Sequence, residues 1–191
     1  MLRAMHLDER VASLLKQGAV DQAATAALEA LGPAVLGYLA GLHGEDDARD
    51  VFSVFAEDLW RGLPGFRGES SLRAWAFRIA WHASARFRRD PFRRRGERLP
   101  SSAASRLAAS IAGASLMPGG RRDALRRLRE SLLPEEQTLL VLRLDRELDW
   151  DEVAAVLTEE GAPVEPATLR KRFERLKDRL ARMAQDEGLL E

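Results

Sequence analysis

The sequence predicts an all-α protein made of two small helical domains joined by a flexible linker. Three observations lead there. Ala, Leu, Arg and Glu dominate the 191 residues, a mixture that favours helix by intrinsic propensity. Apolar residues recur at three- and four-residue spacing, and strand-like runs of Val, Ile and Thr are missing. Between Gly96 and Gly120 the composition shifts to Ser, Ala, Gly and Pro, closing on Pro118-Gly119-Gly120. Such a stretch reads as an inter-domain linker. The expected domains are therefore 1–95 and 121–191, with 96–120 between them.

Each element has its own reason. Leu7 to Leu42 carries an Ala/Leu-rich helical pattern, with breaks expected near Gly18 and at Gly32-Pro33. In "GEDDARDVFSVFAEDLWRGL", Val51, Phe55 and Leu59 recur every four residues, flanked by Phe52, Trp60 and Leu63. That is one apolar helix face, and the acids at its start suit the helix dipole. Pro64-Gly65 stops it, and "FRGESS" forms a polar loop. A helix beginning at Ser70 or Ser71 is expected to turn Leu72, Trp75, Ala76, Ile79, Ala80 and Ala83 inward, with Arg73, Arg78, His82 and Arg86 outside. It should end near Asp90-Pro91, because a residue preceding proline is biased away from helical geometry.

Four helices are expected beyond the linker. Arg121 to Leu132 is the first. Pro134-Glu135-Glu136 opens the second, with proline near its first position and acids in its first turn. Asp149 and Glu152 have capping-box spacing at the start of the third. "PATLRKRFERLKDRLARMA" is the fourth, with Leu169, Phe173, Leu176, Leu180 and Met183 on its apolar side.

Composition narrows the chemistry. Cysteine is absent, which excludes disulfides and thiolate metal sites and suits a reducing cytoplasm. Three scattered histidines, His6, His43 and His82, build neither a metal site nor a catalytic dyad. Without a nucleophile–base pair or a glycine-rich phosphate loop, no enzyme, metal or cofactor is expected. Neither a leader peptide nor an apolar run long enough to span a bilayer is expected. The most apolar-looking stretch, Ser101 to Pro118, is interrupted by Arg106 and Gly113.

The net charge is zero, yet charge is segregated along the chain. Glu45, Asp46, Asp47, Asp50, Glu57 and Asp58 stand against Arg49 alone. From Arg67 to Arg98 arginine prevails, opposed only by Glu69, Asp90 and Glu97. From Arg170 to Arg182 basic residues prevail again, opposed by Glu174 and Asp178. An acidic helix can dock on a basic partner or simply confer solubility. Aromatics interleaved with arginine, as in "FRGESSLRAWAFRIAWHASARFRR", can stack unpaired bases and track phosphates; the same rings can equally be core. The C-terminal pair fits a helix-turn-helix, in which cations hold phosphates and a few side chains reach base edges. A solvated basic helix in a plain bundle fits that pattern too.

Taken together, the segment "DDARDVFSVFAEDLWRGLPGFRGESSLRAWAFRIAWHASARFRR" resembles region two of the extracytoplasmic-function sigma factors. "LRESLLPEEQTLLVLRLDRELDWDEVAAVL" followed by "TLRKRFERLKDRL" resembles their region four. The resemblance implies core RNA polymerase and promoter DNA as partners and, as for many relatives, a cognate anti-sigma factor. It implies a cytoplasmic protein without membrane insertion. Asp47, Asp50, Phe55, Glu57, Asp58, Leu59 and Trp60 would bind polymerase. Phe66, Arg67, Glu69, Ser70 and Ser71 would form the loop that captures a flipped base of the −10 element. Trp75, Arg78, His82 and Arg86 would hold the opened strand beside it. Thr168, Arg170, Lys171, Arg172 and Arg175 would read the −35 duplex.

The sequence departs from the family pattern in three places. Ser53-Val54 replaces a polar-acidic pair, His82 stands where Asn is common, and the connector "TEEGAPVEPA" exceeds the usual turn. A rival reading is a stand-alone helix-turn-helix regulator that binds duplex DNA without polymerase. A second is a helical adaptor that binds no nucleic acid.

Overall fold

The computed structural model describes residues 2–89, 131–158 and 162–186. The chain divides into two compact units, Met1–Leu116 and Met117–Glu191. Every element among the described residues is helical, so the all-α expectation holds. The expected linker and almost all of the Arg121–Leu132 helix lie outside the described residues.

The first unit contains α1 (Leu2–Lys16), α2 (Val20–Gly62), a 3-10 turn (Leu63–Gly65) and α3 (Leu72–Arg89). Gly18, at φ 74°, breaks the chain between α1 and α2 where a break was expected. Gly32-Pro33 does not break it: α2 runs straight through Pro33. A mid-helix proline costs about 3 kcal/mol. Around it, however, Leu28, Leu31, Val35, Leu36 and Leu39 are all buried, each contributing about 1.5–3 kcal/mol, and their sum outweighs the defect. The break falls instead at Gly44, at φ 76° and ψ 172°, a region that only glycine occupies readily. It divides α2 into two arms and turns the chain back. Trp60, near the end of α2, donates its indole N–H to Asp21 near the start, at 3.1 Å.

Phe52, Phe55, Leu59, Leu63, Leu72 and Phe77 form the heart of this unit and are fully buried. Tyr38 packs edge-on against Phe77, with ring centres 5.5 Å apart. The start of α3 is fixed twice. The Ser71 hydroxyl accepts the Ala74 amide at 3.1 Å, and the Asp8 carboxylate accepts the Leu72 amide at 3.1 Å. Two of the helix's otherwise orphaned donors are thereby satisfied, one of them from α1. Near the other end of α3, His43 and Ser84 are hydrogen-bonded at 2.7 Å, and Arg88 donates to Ser84 at 2.8 Å.

The inner face of α3 is rotated from the expected stripe. Trp75 and Ile79 are half-buried, while Phe77, Trp81 and Ser84 are buried. The helix packs on both α1 and α2, so it buries more than half its circumference, and the uncovered remainder includes Trp75.

One expectation about membranes needs correction. An 18-residue stretch within Val20–Gly65 has mean hydropathy 1.3, apolar and long enough to cross a bilayer. In this fold 61% of that stretch is buried against the unit's own side chains. The Ser101–Pro118 stretch lies outside the described residues.

The second unit contains α4 (Pro134–Leu140), which continues into a π-helical turn (Val141–Asp145), then α5 (Trp150–Leu157) and α6 (Pro166–Asp186). Proline at the first position and Glu135-Glu136 in the first turn open α4 as expected. Glu136 accepts the Leu133 amide at 3.0 Å; leucine offers no side-chain acceptor in return, so only half of a reciprocal cap forms. Asp149 and Glu152 make the full capping box: Asp149 accepts the Glu152 amide at 2.8 Å, and Glu152 accepts the Asp149 amide at 3.2 Å. In the connector before α6, Val164 donates to the Thr158 hydroxyl at 3.3 Å. Leu142, Leu148, Val153, Leu169, Phe173 and Leu176 fill the core of this unit, while Leu180 and Met183 are half-buried.

Candidate nucleic-acid interface

Packing α3 on α1 and α2 leaves one stripe of the helix uncovered. Trp75, Arg78, His82 and Arg86 occupy it at positions i, i+3, i+7 and i+11, which share a helix face. Arg78 and Arg86 are exposed, and Trp75 and His82 half-buried. The structure therefore brings these four expected residues together. Exposed Arg89 continues the stripe at i+14. It was missing from the expected set, although the seven-residue step from His82 would have found it.

The loop before α3 supplies the other end of the stripe. Phe66 is half-buried against Trp75, with ring centres 5.1 Å apart and planes tilted by 47°. Gly62 allows that arrangement: a β-carbon there would meet the Trp75 ring at 3.3 Å. Gly68 turns the loop at φ 72°, which leaves Arg67 and Glu69 exposed. Ser70 is half-buried, and Ser71 is held as the cap of α3. The side that remains is an aromatic pair leading into a row of cations. That combination can stack unpaired bases while guanidiniums hold the phosphates.

The acidic arm of α2 sorts its residues cleanly. Asp47, Asp50, Glu57, Asp58 and Trp60 are half-buried, with Asp47, Asp50 and Glu57 on one stripe. Phe55 and Leu59 are fully buried, so the structure moves both from the expected contact set into the core, behind the arm. Their four-residue spacing is the inner face of an amphipathic helix. Glu57 accepts from Arg61 at 3.1 Å. Arg86 donates to Asp58, so members of two expected sets pair with each other, and Trp60 is tied to Asp21. Neither long-range pairing was expected, because each joins residues 28 or more positions apart.

In the second unit the basic residues of α6 do not share one face. Arg172 faces Glu135 of α4 at 3.7 Å, and Arg179 is paired with Glu136. Arg170, two positions from Arg172, turns the opposite way, its guanidinium carbon 5.9 Å from the centre of the Trp150 ring. Thr168, Lys171 and Arg175 are exposed and lie on the helix surface between these flanks. Among the described residues of both units there is no group of three or more His, Asp or Glu that could hold a metal ion.

Comparison with known proteins finds similarity to one family over part of the chain. Residues 27–95 match Sigma-70 region 2, a span that covers the acidic arm, the loop and the whole of α3. The RNA polymerase sigma factor YlaC of Bacillus subtilis (strain 168) is 27% identical over 148 residues, covering 77% of this chain and 85% of that protein. No solved structure matches the chain. The matched region includes the acidic arm, the Phe66–Ser71 loop and the arginine-lined helix, and the similarity to YlaC, over 148 residues, extends past it. The chain is thus similar to Sigma-70 region 2 over residues 27–95 and to an RNA polymerase sigma factor over 148 residues.

Proposed function

We infer that this chain confers promoter specificity on bacterial RNA polymerase, recognising −10 and −35 elements and promoting strand opening for initiation. The observation that carries this reading is the continuous surface from Phe66 through Trp75 to Arg78, His82 and Arg86. Extruding a base from a duplex costs a few kcal/mol, and a preformed aromatic pair beside a cationic row offsets that cost once the strand is open.

The residue roles are part of the proposal. Asp47, Asp50, Glu57, Asp58 and Trp60 form the polymerase-facing surface of α2, held from behind by Phe55 and Leu59. Phe66, Arg67, Glu69 and Ser70 contact the −10 base, with Ser71 fixing the start of the helix behind them. Trp75, Arg78, His82 and Arg86, extended by Arg89, hold the separated strand. Thr168, Lys171 and Arg175 read the −35 duplex, flanked by Arg170 and Arg172. The chain acts as a specificity subunit without chemistry, metal or cofactor of its own. It works in the cytoplasm, without membrane insertion, and is subject to a cognate anti-sigma factor.

Zero net charge fits such a division of labour. Non-specific DNA affinity is dominated by phosphate neutralisation, so a neutral chain binds promoters weakly until the polymerase joins it. A gel-shift titration of promoter duplex with and without core polymerase tests this. Tight, sequence-specific retardation is expected only when core is present. The same retardation by the chain alone would favour a stand-alone helix-turn-helix regulator.

A further inference from the structure

Trp75 sits in the first turn of α3, and that turn is held from several sides. The Asp8 carboxylate of α1 accepts the amide of Leu72, the first residue of α3, at 3.1 Å. The Ser71 hydroxyl accepts the Ala74 amide at 3.1 Å, and the Ser71 carbonyl accepts the Trp75 amide at 3.0 Å. Beside the ring, a β-carbon at Gly62 would stand 3.3 Å away, and Phe66 packs on it with ring centres 5.1 Å apart. Of these contacts only the one from Asp8 originates outside residues 62–75. Asp8 is half-buried, while Leu72 and Val11, one turn along α1 from Asp8, are fully buried. The bond therefore lies where α1 packs on α3.

The first amides of a helix have no partner inside it, and helix ends fray. A carboxylate at that end satisfies one amide and meets the positive end of the helix dipole. Asp8 does both from 64 positions away. The local cap from Ser71 fixes the shape of the turn, whereas the bond to Asp8 fixes where the turn stands relative to α1. Phe66 enters the loop and Trp75 follows it, so a displacement of the turn changes the gap in which a base would stack. Helix α1 ends at Lys16, ahead of the residues that match Sigma-70 region 2.

We propose that Asp8 is a positioning residue for base capture: by holding the first amide of α3 it sets the spacing of the Phe66–Trp75 corner that receives an unstacked base of the −10 strand. This inference rests on the promoter reading above. Asp8 itself touches no DNA. It acts through the backbone that carries Trp75.

The test uses holoenzyme assembled from the full chain and core polymerase. The probe is a fluorescent single strand carrying the non-template −10 sequence of a promoter that the holoenzyme uses. A second set of strands carries an abasic site at each −10 position in turn. For wild type, removing the captured base should cost about tenfold in affinity, the worth of one stacked base. Asp8→Ala is expected to weaken the intact strand about fivefold, the size of one lost cap. On the strand that lacks the captured base, Asp8→Ala and wild type should bind alike. Asp8→Asn keeps an acceptor oxygen and should bind the intact strand within about twofold of wild type. Core capture and −35 duplex binding should be unchanged in both variants. If Asp8→Ala melts early by circular dichroism, Asp8→Leu, which keeps the bulk without the acceptor, takes its place. An unchanged affinity would overturn the proposal. So would a loss equal on intact and abasic strands, or one that extends to core capture, because either would make the bond purely structural. Wild-type holoenzyme that does not distinguish the −10 strand from a scrambled one would overturn the promoter reading itself, and the proposal with it.

Discussion

Two helices in this molecule carry dense arginine, and they are organised differently. In α3 the cations and one aromatic line up along a single uncovered stripe, because packing on two neighbours leaves only that stripe to solvent. In α6 the cations are parted: Arg172 and Arg179 turn to the glutamates of α4, and Arg170 turns to Trp150. A continuous aromatic-to-cation track suits a flexible single strand, whose bases and phosphates alternate. Separate flanks suit a rigid duplex, where backbone contacts lie on either side of the base edges. The arrangement of charge on a helix thus says more about its ligand than the amount of charge does.

The comparison can be broken at several points. The largest expected effect is on the support behind the acidic arm. Phe55→Ala should destabilise the first unit by about 3–5 kcal/mol, as emptying a packed aromatic site does, read out by denaturant melting. Glu57→Ala, two residues along on the outer face, should leave the melt within about 0.5 kcal/mol while weakening capture by core polymerase. Equal melts for the two variants would put Phe55 on the surface after all.

Next is the aromatic end of the α3 stripe. Trp75→Ala should weaken binding of non-template single strand to the holoenzyme by about 1–3 kcal/mol, the worth of one stacked base, while duplex −35 binding is unchanged. Loss of both together would mean Trp75 serves only the fold. In the second unit, Asp149→Ala removes the full capping box and should cost about 1 kcal/mol of stability, with the α3 stripe unaffected.

The smallest effect belongs to the ion pair between the two expected sets. Arg86 and Asp58 have side chains 52% and 30% exposed, and exposed pairs contribute only about 0–1 kcal/mol. Asp58→Asn should therefore barely shift the melt, yet free Arg86 and modestly raise single-strand affinity. A lowered affinity would show that Asp58 orients Arg86 for the strand rather than competing for it.

How much of this was legible in the sequence depended on how local each cause was. The proline start of α4 and the Asp149–Glu152 box are set by residues within a few positions of each other, and both were readable, while the start of α3 was narrowed only to Ser70 or Ser71. The exposed face of α3 was legible in its polar members, Arg78, His82 and Arg86. Its aromatic members were not, because a helix rich in both Trp and Phe offers more than one apolar stripe. Only contact with α1 and α2 selects Phe77 and Trp81 over Trp75 and Ile79 as the more deeply buried. Continuation through Pro33 depended on leucines whose burial comes from distant segments. The links between Trp60 and Asp21 and between Asp8 and Leu72 join positions 39 and 64 residues apart, which no periodicity reveals. On α6, composition announced a basic helix, but the glutamates and the tryptophan that divide its two flanks come from other elements.

Run-off transcription with purified core polymerase on a pool of genomic promoter fragments, any inhibitory partner being absent, tests the central claim most directly. Adding this chain should direct initiation from a small, reproducible subset of fragments, and replacing Trp75 and Arg78 by Ala should abolish it with core binding intact. Failure of the folded chain to bind core, or initiation no different from core alone, would contradict the account.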